Sequence, residues 1–441
     1  MTWIYEHTEV AVVIIYMAAM LFVAWWVSDK SRDAEGYTVG NREMAGWVVG
    51  ISVLGTFTSS ISFLAVPAKA YADNWNVNVF AFSFLPASFL AFRYFLPFYL
   101  RHIKLSAYEL LETRFGYWAR LYADISYIVL QLIRVATVLL LVAFAVTPLL
   151  DWEINRTLIG LGVLVIIYDT LGGIRAVIWT DVVQVIILIV GALWCLAQLF
   201  LIYPGGPGNL LADIPAHKIS LGEFASTDLA LPTILVVVLY GITENLRNYG
   251  TDQNYVQRIL ASKSDRAAAN SLWIGALAYL PVSFLFCLMG TALFMSLPMD
   301  TLDGVTRADE VFPYFIKHEL PGPVAGLVIA AILAAAMSTV DSSLNSMSTV
   351  ILVDVFRRFR RADSPRIPEI ITLRAATITL GLLGTFTAVE LYNRFQDQAR
   401  TIMDLWWQYA GTAGGGMFGL FVLAWIMPRV PAWGAALGVL A

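Results

Sequence analysis

LVIAAILAAAMSTVDSSLNSMSTVILVDVF, residues 327–356, is the stretch on which the fold turns. It opens as a run of small and branched apolar residues long enough to cross the hydrocarbon of a bilayer. Ser338, Thr339, Asp341, Ser342, Ser343, Asn345 and Ser346 then interrupt it at mid-depth. At about 100° per residue, Ser338, Asp341, Ser342, Asn345 and Thr349 share one face of a helix. Hydroxyls can serve as packing contacts between membrane helices. Oxygens grouped round a carboxylate also suit a small hard cation, which takes several oxygen ligands. Asp341 favours the second reading, because ionisable groups at membrane depth mark ion or substrate paths.

The whole chain agrees with a membrane setting. Its 441 residues are 59% hydrophobic and 14% charged, with a mean hydropathy of +0.71. Soluble domains carry about 25% charged residues, so the chain reads as an all-α integral membrane protein. The long unbroken apolar runs are unlike the short alternating strands of a barrel. A net charge of −4 argues against nucleic acid as a partner. Cys195 and Cys287 lie in separate apolar runs, and the histidines are scattered without metal-ligand spacing. The first apolar run, residues 10–27, follows Glu6 and Glu9 with no small-residue cleavage site, and reads as a retained helix.

Apolar runs of about 20 residues predict helices near 8–28, 44–71, 77–99, 117–150, 157–171, 177–203, 230–247, 270–296, 323–355, 369–392 and 399–427. Residues 433–441 read as the opening of a further, incomplete helix, and residues 1–441 as a single transmembrane domain. With the N-terminus outside, the inner loops hold nineteen Lys and Arg, among them Lys30, Arg32, Lys104, Arg120, Arg258, Arg358, Arg360, Arg361 and Arg366. The outer side holds six: Arg156, Lys218, Arg307, Lys317, Arg394 and Arg400. That is a clear positive-inside bias. The two long outer segments, 204–229 and 297–322, are punctuated by Pro and Gly and are expected to cap the bundle or act as lids.

The second helix, GWVVGISVLGTFTSSISFLAVPAKAYA (46–72), gathers Gly55, Thr56, Thr58, Ser59, Ser60 and Ser62 at its middle, with Pro67 beyond. Pro removes a donor and disfavours helix in the residue before it. A break near 55–60 would free carbonyls that survive in a bilayer only when protein, water or an ion satisfies them; the alternative is a simple kink. Lys69 is expected to snorkel to the outer end. Arg134 sits deep in the helix over 117–150, where a guanidinium costs about 2.5–3.5 kcal/mol even on the lenient insertion scale. It either pairs with Asp124 or Glu244, or receives an anionic solute. Asp181 lies one turn inside the next span. Glu244 and Arg247 stand i, i+3 apart, as a local ion pair requires. Residues 251–266 read as a polar, amphipathic inner loop, and GTAGGGMFG (411–419) as a close-packing or flexible stretch.

TSSISFLAVPAKAY, SAYELLETRF, GGIRAVIWTDVVQ, DQNYVQR and STVDSSLNSMSTV, in that order, resemble the sodium:solute symporter family. The resemblance covers nearly the whole chain. It implies an inverted-repeat fold of five plus five helices, over 44–427, with 8–28 as an extra helix before it and a truncated C-terminal end. It also implies a main sodium site made of the carbonyls of Gly55, Thr58 and Ala335 and the hydroxyls of Ser338 and Thr339. A broken helix that offers carbonyls opposite a hydroxyl-bearing helix fits that ligand set.

Within the family the chain is most similar to the bacterial sialic acid symporters. That likeness implies a solute carboxylate on Arg134, solute hydroxyls on Ser59 and Ser62, and a second sodium site on Asp181, Ser338, Asp341 and Ser342. Two departures stand out. Asp341 replaces a serine, and Ala81 replaces a solute-facing glutamine, while Glu244 and Arg247 have no counterpart in those relatives.

These readings predict alternating-access uptake of a small, carboxylate-bearing solute such as sialic acid, driven by Na+. The alternatives are another solute (a monocarboxylate, an amino acid or a neutral sugar) or a transporter-like sensor module. An enzyme is disfavoured because the polar centre lacks a nucleophile–base pair or metal set, and a channel because no ring of selectivity groups repeats.

Overall fold

The computed structural model describes residues 8–28, 33–102, 105–150, 152–228, 231–359, 368–395, 402–427 and 429–440. Lys30, Arg32, Lys104, Arg360, Arg361, Arg366 and Arg400, used above for orientation, lie outside these residues. The regular structure described is helical, apart from one isolated bridge between Met44 and Ser262. The principal elements are α1 Thr8–Ser28, α2 Gly46–Phe57, α3 Val66–Ala72, α4 Asn76–Arg101, α5 Tyr117–Leu150, α6 Ile154–Ile202, α7 Ile234–Thr251, α8 Gln253–Leu260, α9 Asp265–Ser296, α10 Gly322–Val350, α11 Glu369–Phe395, α12 Ile402–Ile426 and α13 Ala432–Leu440.

Among the described residues eight helices are long and apolar enough to cross a bilayer, nine when the bent pair at 46–72 counts as one span. Two of the eleven expected spans fall short by that measure. The run expected at 157–171 is a shorter apolar helix, Ile154–Ile167, joined to the next span across Gly173. Gly173 has φ +64° and ψ 178°, so the chain turns there before helix resumes. A Cβ at this position would stand 2.8 Å from the Tyr37 ring, so both conformation and space call for glycine. The run expected at 230–247 becomes α7, whose last turns carry Glu244, Asn245, Arg247 and Asn248 and lower its hydropathy.

The bundle inverts the soluble pattern. Trp26, Leu201 and Phe386 are 71, 75 and 63% exposed on its outside, where lipid tails would cover them. Asp181, Arg258 and Asp341 are fully buried inside. Hydrophobic burial does not drive helices together in lipid, so close approach does, through small residues. A Cβ on Gly275 of α9 would stand 2.6 Å from Val53 of α2. A Cβ on Gly191 of α6 would stand 2.8 Å from Ala331 of α10. These contacts set α9 close on α2 and α6 close on α10, and almost all of α10 is buried.

The long segments pack on the broken helix. The Lys218 ammonium donates to the carbonyls of Tyr71 (2.5 Å) and Ala72 (3.2 Å) at the end of α3. The helix Ala308–His318 packs Phe312 against Phe63 at 5.7 Å. Lys69 pairs with Asp73 at 2.7 Å and stays 41% exposed. At the opposite end, Arg120 bridges Asp354 and Glu112, Arg358 also holds Glu112 at 2.5 Å, and Ser106 donates to Asp354 at 2.6 Å. This latch ties α5, the segment after α10 and the short helix Glu109–Phe115.

Candidate functional site

The break in the second helix falls where the sequence places it. α2 ends at Phe57, Thr58 leaves the helical region (φ −93°, ψ 74°), and a π-helical turn, Ile61–Ala65, leads into α3. The two parts meet at 59°. Pro67 lies at the start of the resumed α-helix, where its missing N–H is harmless. The break is buried, and the hydroxyls of Thr58 and Ser60 have no hydrogen-bond partner there. An unmatched polar group at this depth costs about 1–3 kcal/mol.

α10 faces this break. A Cβ on Gly55 would stand 3.1 Å from the Ser338 hydroxyl and 3.7 Å from Asp181 Cβ. Ser338, Thr339 and Ala335 are buried, and Thr339 donates to the Ala335 carbonyl at 3.2 Å. The structure thus brings Ser338 against Gly55 in the last turn before the break, with Ala335 and Thr339 within a turn of Ser338 on α10. Carbonyls and hydroxyls without a carboxylate among them suit a monovalent hard cation such as Na+.

The second group expected from sequence is not free. Asp181 accepts hydrogen bonds from Ser52, from Ser338 at 2.5 Å and from Arg258 at 2.9 Å. Arg258 also donates to Ser342 at 2.5 Å, to the Asn254 carbonyl at 3.2 Å and, through Nε, to Ser52 at 2.8 Å. A guanidinium therefore occupies the charge position that a second ion at Asp181 and Ser342 would need. Asp341 lies on the side of α10 near the Tyr16 hydroxyl of α1, which itself donates to Met337 at 3.6 Å. Asn345 and Thr349 accept from Gln257 at 2.8 and 3.2 Å. The single stripe of the helix wheel is divided among several partners.

Arg258 and Gln257 correct the sequence reading of 251–266. Within that stretch residues 253–260 are not a loop but α8, every residue of which is buried. Charge and polarity hid it, since a polar helix reads as solvated unless its partners are known. The signal available was the DQNYVQR motif itself. Asp252 at the start of α8 is a second residue the sequence reading missed. It accepts from Asn254 N at 2.9 Å, Tyr127 at 3.2 Å and Gln131 at 3.2 Å, and it stands 3.8 Å from Arg134. Neither expected partner of Arg134 is the one observed: Asp124 sits beside Asp354 and Arg120, and Glu244 is taken by Arg247.

Beside the break lies a cavity of about 110 Å³ lined by Ser59, Ser62, Arg134, Glu244, Arg247 and aromatic rings that include Tyr279 and Trp406. The three residues expected to touch solute meet here. Arg134 donates to the Thr56 carbonyl at 3.0 Å, which ties the cavity to the broken helix, and its guanidinium lies 5.9 Å from the Trp406 ring. Ser62 donates to the Phe57 carbonyl at 3.0 Å. Arg247 holds Glu244 by two hydrogen bonds of 2.8 and 2.5 Å, as their spacing predicts. Ala81 is buried with Phe84 and Tyr279 and offers the cavity no polar group.

Known proteins resemble this chain over most of its length. The family model described as "SSF: Sodium:solute symporter family" matches residues 37–441. The sodium/sialic acid symporter SiaT of Proteus mirabilis is 31% identical, over 98% of this chain and 87% of its own. The sodium/sialic acid symporter NanT of Aliivibrio fischeri is 30% identical, over 97% of this chain and 84% of its own. The solved substrate-bound outward-open state of a Na+-coupled sialic acid symporter superposes with a TM-score of 0.88 at 29% identity, covering 98% of this chain and 89% of that one. That likeness settles the inverted-repeat helical fold. A broken helix facing a hydroxyl-bearing one, beside an arginine-lined cavity and within a family match over most of the chain, places this chain in the sodium:solute symporter family, among membrane transporters and not enzymes.

Proposed function

We propose that this chain couples Na+ to the uptake of an organic monocarboxylic acid, with sialic acid the first solute to test. The observation that carries the solute class is Arg134. Its guanidinium is largely shielded at mid-span, 12% exposed, lines the cavity with Ser59 and Ser62, and meets a carboxylate, Asp252, only at 3.8 Å. A carboxylate can take the planar fork of Arg134 while the two serines hold solute hydroxyls. The names of the two bacterial relatives support the same class.

Sodium binds among the carbonyls of Gly55, Thr58 and Ala335 and the hydroxyls of Ser338 and Thr339. The orphaned Thr58 hydroxyl supports a cation there. Because Arg134 hydrogen-bonds the Thr56 carbonyl in the last turn before the break, sodium and solute act on one element: filling one site fixes the backbone that shapes the other. The cavity is smaller than the ~300–1,000 Å³ common for ligand pockets, so solute enters through a wider state. Rocking of helices then exposes the site to each side in turn. The reading places the N-terminus outside, the arginine-rich latch on the cytoplasmic side of the plasma membrane, residues 44–427 as the ten-helix core and 8–28 as an added helix.

One elementary charge moved through 100 mV contributes about 2.3 kcal/mol. A monoanion carried with one sodium is electroneutral and draws only on the sodium gradient. A second sodium at Asp181, Ser338, Asp341 and Ser342 would make uptake respond to voltage, and would require Arg258 to move off Asp181. Uptake of labelled sialic acid and of simpler acids into proteoliposomes, with sodium gradient and voltage set separately, tests the reading. Uptake indifferent to sodium overturns it. Asp341→Ser is expected to change the sodium dependence of uptake, and an unchanged dependence removes Asp341 from the ion path.

A further inference from the structure

The cavity contains two arginines in different electrostatic states. Arg134 is loosely compensated, at 3.8 Å from Asp252. Arg247 is clamped by Glu244 at 2.8 and 2.5 Å, and its Nη2 also donates to Asn248 at 3.0 Å. It is 4% exposed. Gly414 closes on it from α12, where a Cβ would stand 3.1 Å from Arg247 Cδ. These contacts fix the guanidinium in place. Yet its Nη1 is buried and has no hydrogen-bond partner. A rigidly held donor on a cavity-lining side chain is left unmatched, a costly arrangement unless a ligand completes it.

We infer that Arg247 Nη1 donates to a second, neutral acceptor on the solute. The transported acid then carries a hydroxyl, carbonyl or amide oxygen remote from its carboxylate. This inference rests on the cavity being the solute site proposed above. The neutrality of the acceptor follows from Glu244. It cancels the Arg247 charge where it stands, so a second carboxylate would gain no net attraction and would face the Glu244 oxygens in a medium of low dielectric. A neutral oxygen takes the N–H without adding charge. An acid with no second acceptor leaves Nη1 unmatched, and a site built to hydrogen-bond a polar group rejects the analogue that lacks it. Arg134 thus selects for a carboxylate, and Arg247 sorts among acids.

The test uses acids on one skeleton: cyclohexanecarboxylate, its 3- and 4-hydroxy derivatives, and cyclohexane-1,4-dicarboxylate. Binding to the purified full chain is measured in sodium by intrinsic fluorescence. A hydroxy acid is expected to bind at least about tenfold more tightly than the bare acid and the dicarboxylate. In the paired variant Glu244→Gln with Arg247→Gln, which keeps the net charge, that ratio is expected to fall to about one. Equal binding of hydroxy and bare acids by the wild-type chain overturns the inference without any variant, as does a ratio that survives in the paired variant. If the acids bind equally and Arg134→Gln weakens all of them, the carboxylate reading stands and this inference alone fails. If no acid binds, both fail.

Discussion

Two polar regions lie close together in the middle of this bundle, and they differ in how far their hydrogen bonds are satisfied. In the knot of Asp181, Arg258, Ser52 and Ser342, the carboxylate and the guanidinium each meet several partners at hydrogen-bond distance. At the break and in the adjoining cavity, the Thr58 and Ser60 hydroxyls and Arg247 Nη1 are buried without partners. The first region is complete as it stands and welds α2, α6, α8 and α10 together. The second leaves buried polar groups unmatched, which is where the proposed ligands would act. Charge and depth, the features most visible in sequence, mark both regions alike, and satisfaction separates them. Ser338 belongs to both, since it donates to Asp181 and faces Gly55.

The largest expected effect is on the knot. Arg258→Met leaves Asp181 buried without its cation, which costs about 3–5 kcal/mol. It should lower the unfolding temperature in detergent sharply, and Asp181→Leu added to it should restore much of the loss. A stable Arg258→Met variant would show that the knot is loose and would reopen Asp181 to sodium. Next is Arg134→Ala. Truncating a buried charge that a ligand pairs with costs roughly 2–5 kcal/mol of binding, so uptake of an acid should fall at least about 30-fold while the unfolding temperature changes little. If stability falls and transport does not, Arg134 belongs with the knot.

Thr339→Ala should weaken apparent sodium affinity about tenfold, the loss of one hydrogen-bond-sized ligand contact, read from the sodium concentration for half-maximal uptake. Ser338→Ala should lower both sodium affinity and stability, because it touches both regions. A variant that moves only one of the two would place Ser338 in a single region. The smallest effect is at the latch. Burial alone would raise the Glu112 carboxyl, but hydrogen bonds from Arg120 and Arg358 outweigh it and hold it below the usual carboxylate range. The latch contribution is therefore present above about pH 4.3 and lost as pH falls through the lower, folded value. With Arg358 39% exposed, Glu112→Gln should cost no more than about 1 kcal/mol, and the variant should lose less stability than the wild type on acidification.

Much of the site could be read from the chain because its signals are local. Hydroxyls at helical spacing placed Ser338 and Thr339 on a membrane helix, and the Gly, Thr and Ser cluster before Pro67 located the break within a residue or two. Glu244 and Arg247 paired as expected because α-helix periodicity brings i and i+3 together whatever the surroundings. The resemblance to a family supplied the rest of the ligand set. The misreadings were of residues whose meaning depends on distant partners. Arg258 looked like a solvated loop cation and is fully buried. Arg134 was assigned two candidate partners and met a third, Asp252.

The sequence by itself determined that this chain lives in a bilayer, that one helix is interrupted or kinked near 55–60, and that oxygens and an arginine sit at mid-depth. Those are consequences of hydropathy, backbone chemistry and helix period, each set within a few residues. Only the tertiary structure decided which buried charges meet. Asp181 is answered by a residue 77 positions away, and Arg134 donates to a carbonyl 78 positions away. In a medium of low dielectric each buried charge must find a partner, but the fold, through close helix packing, chooses which one.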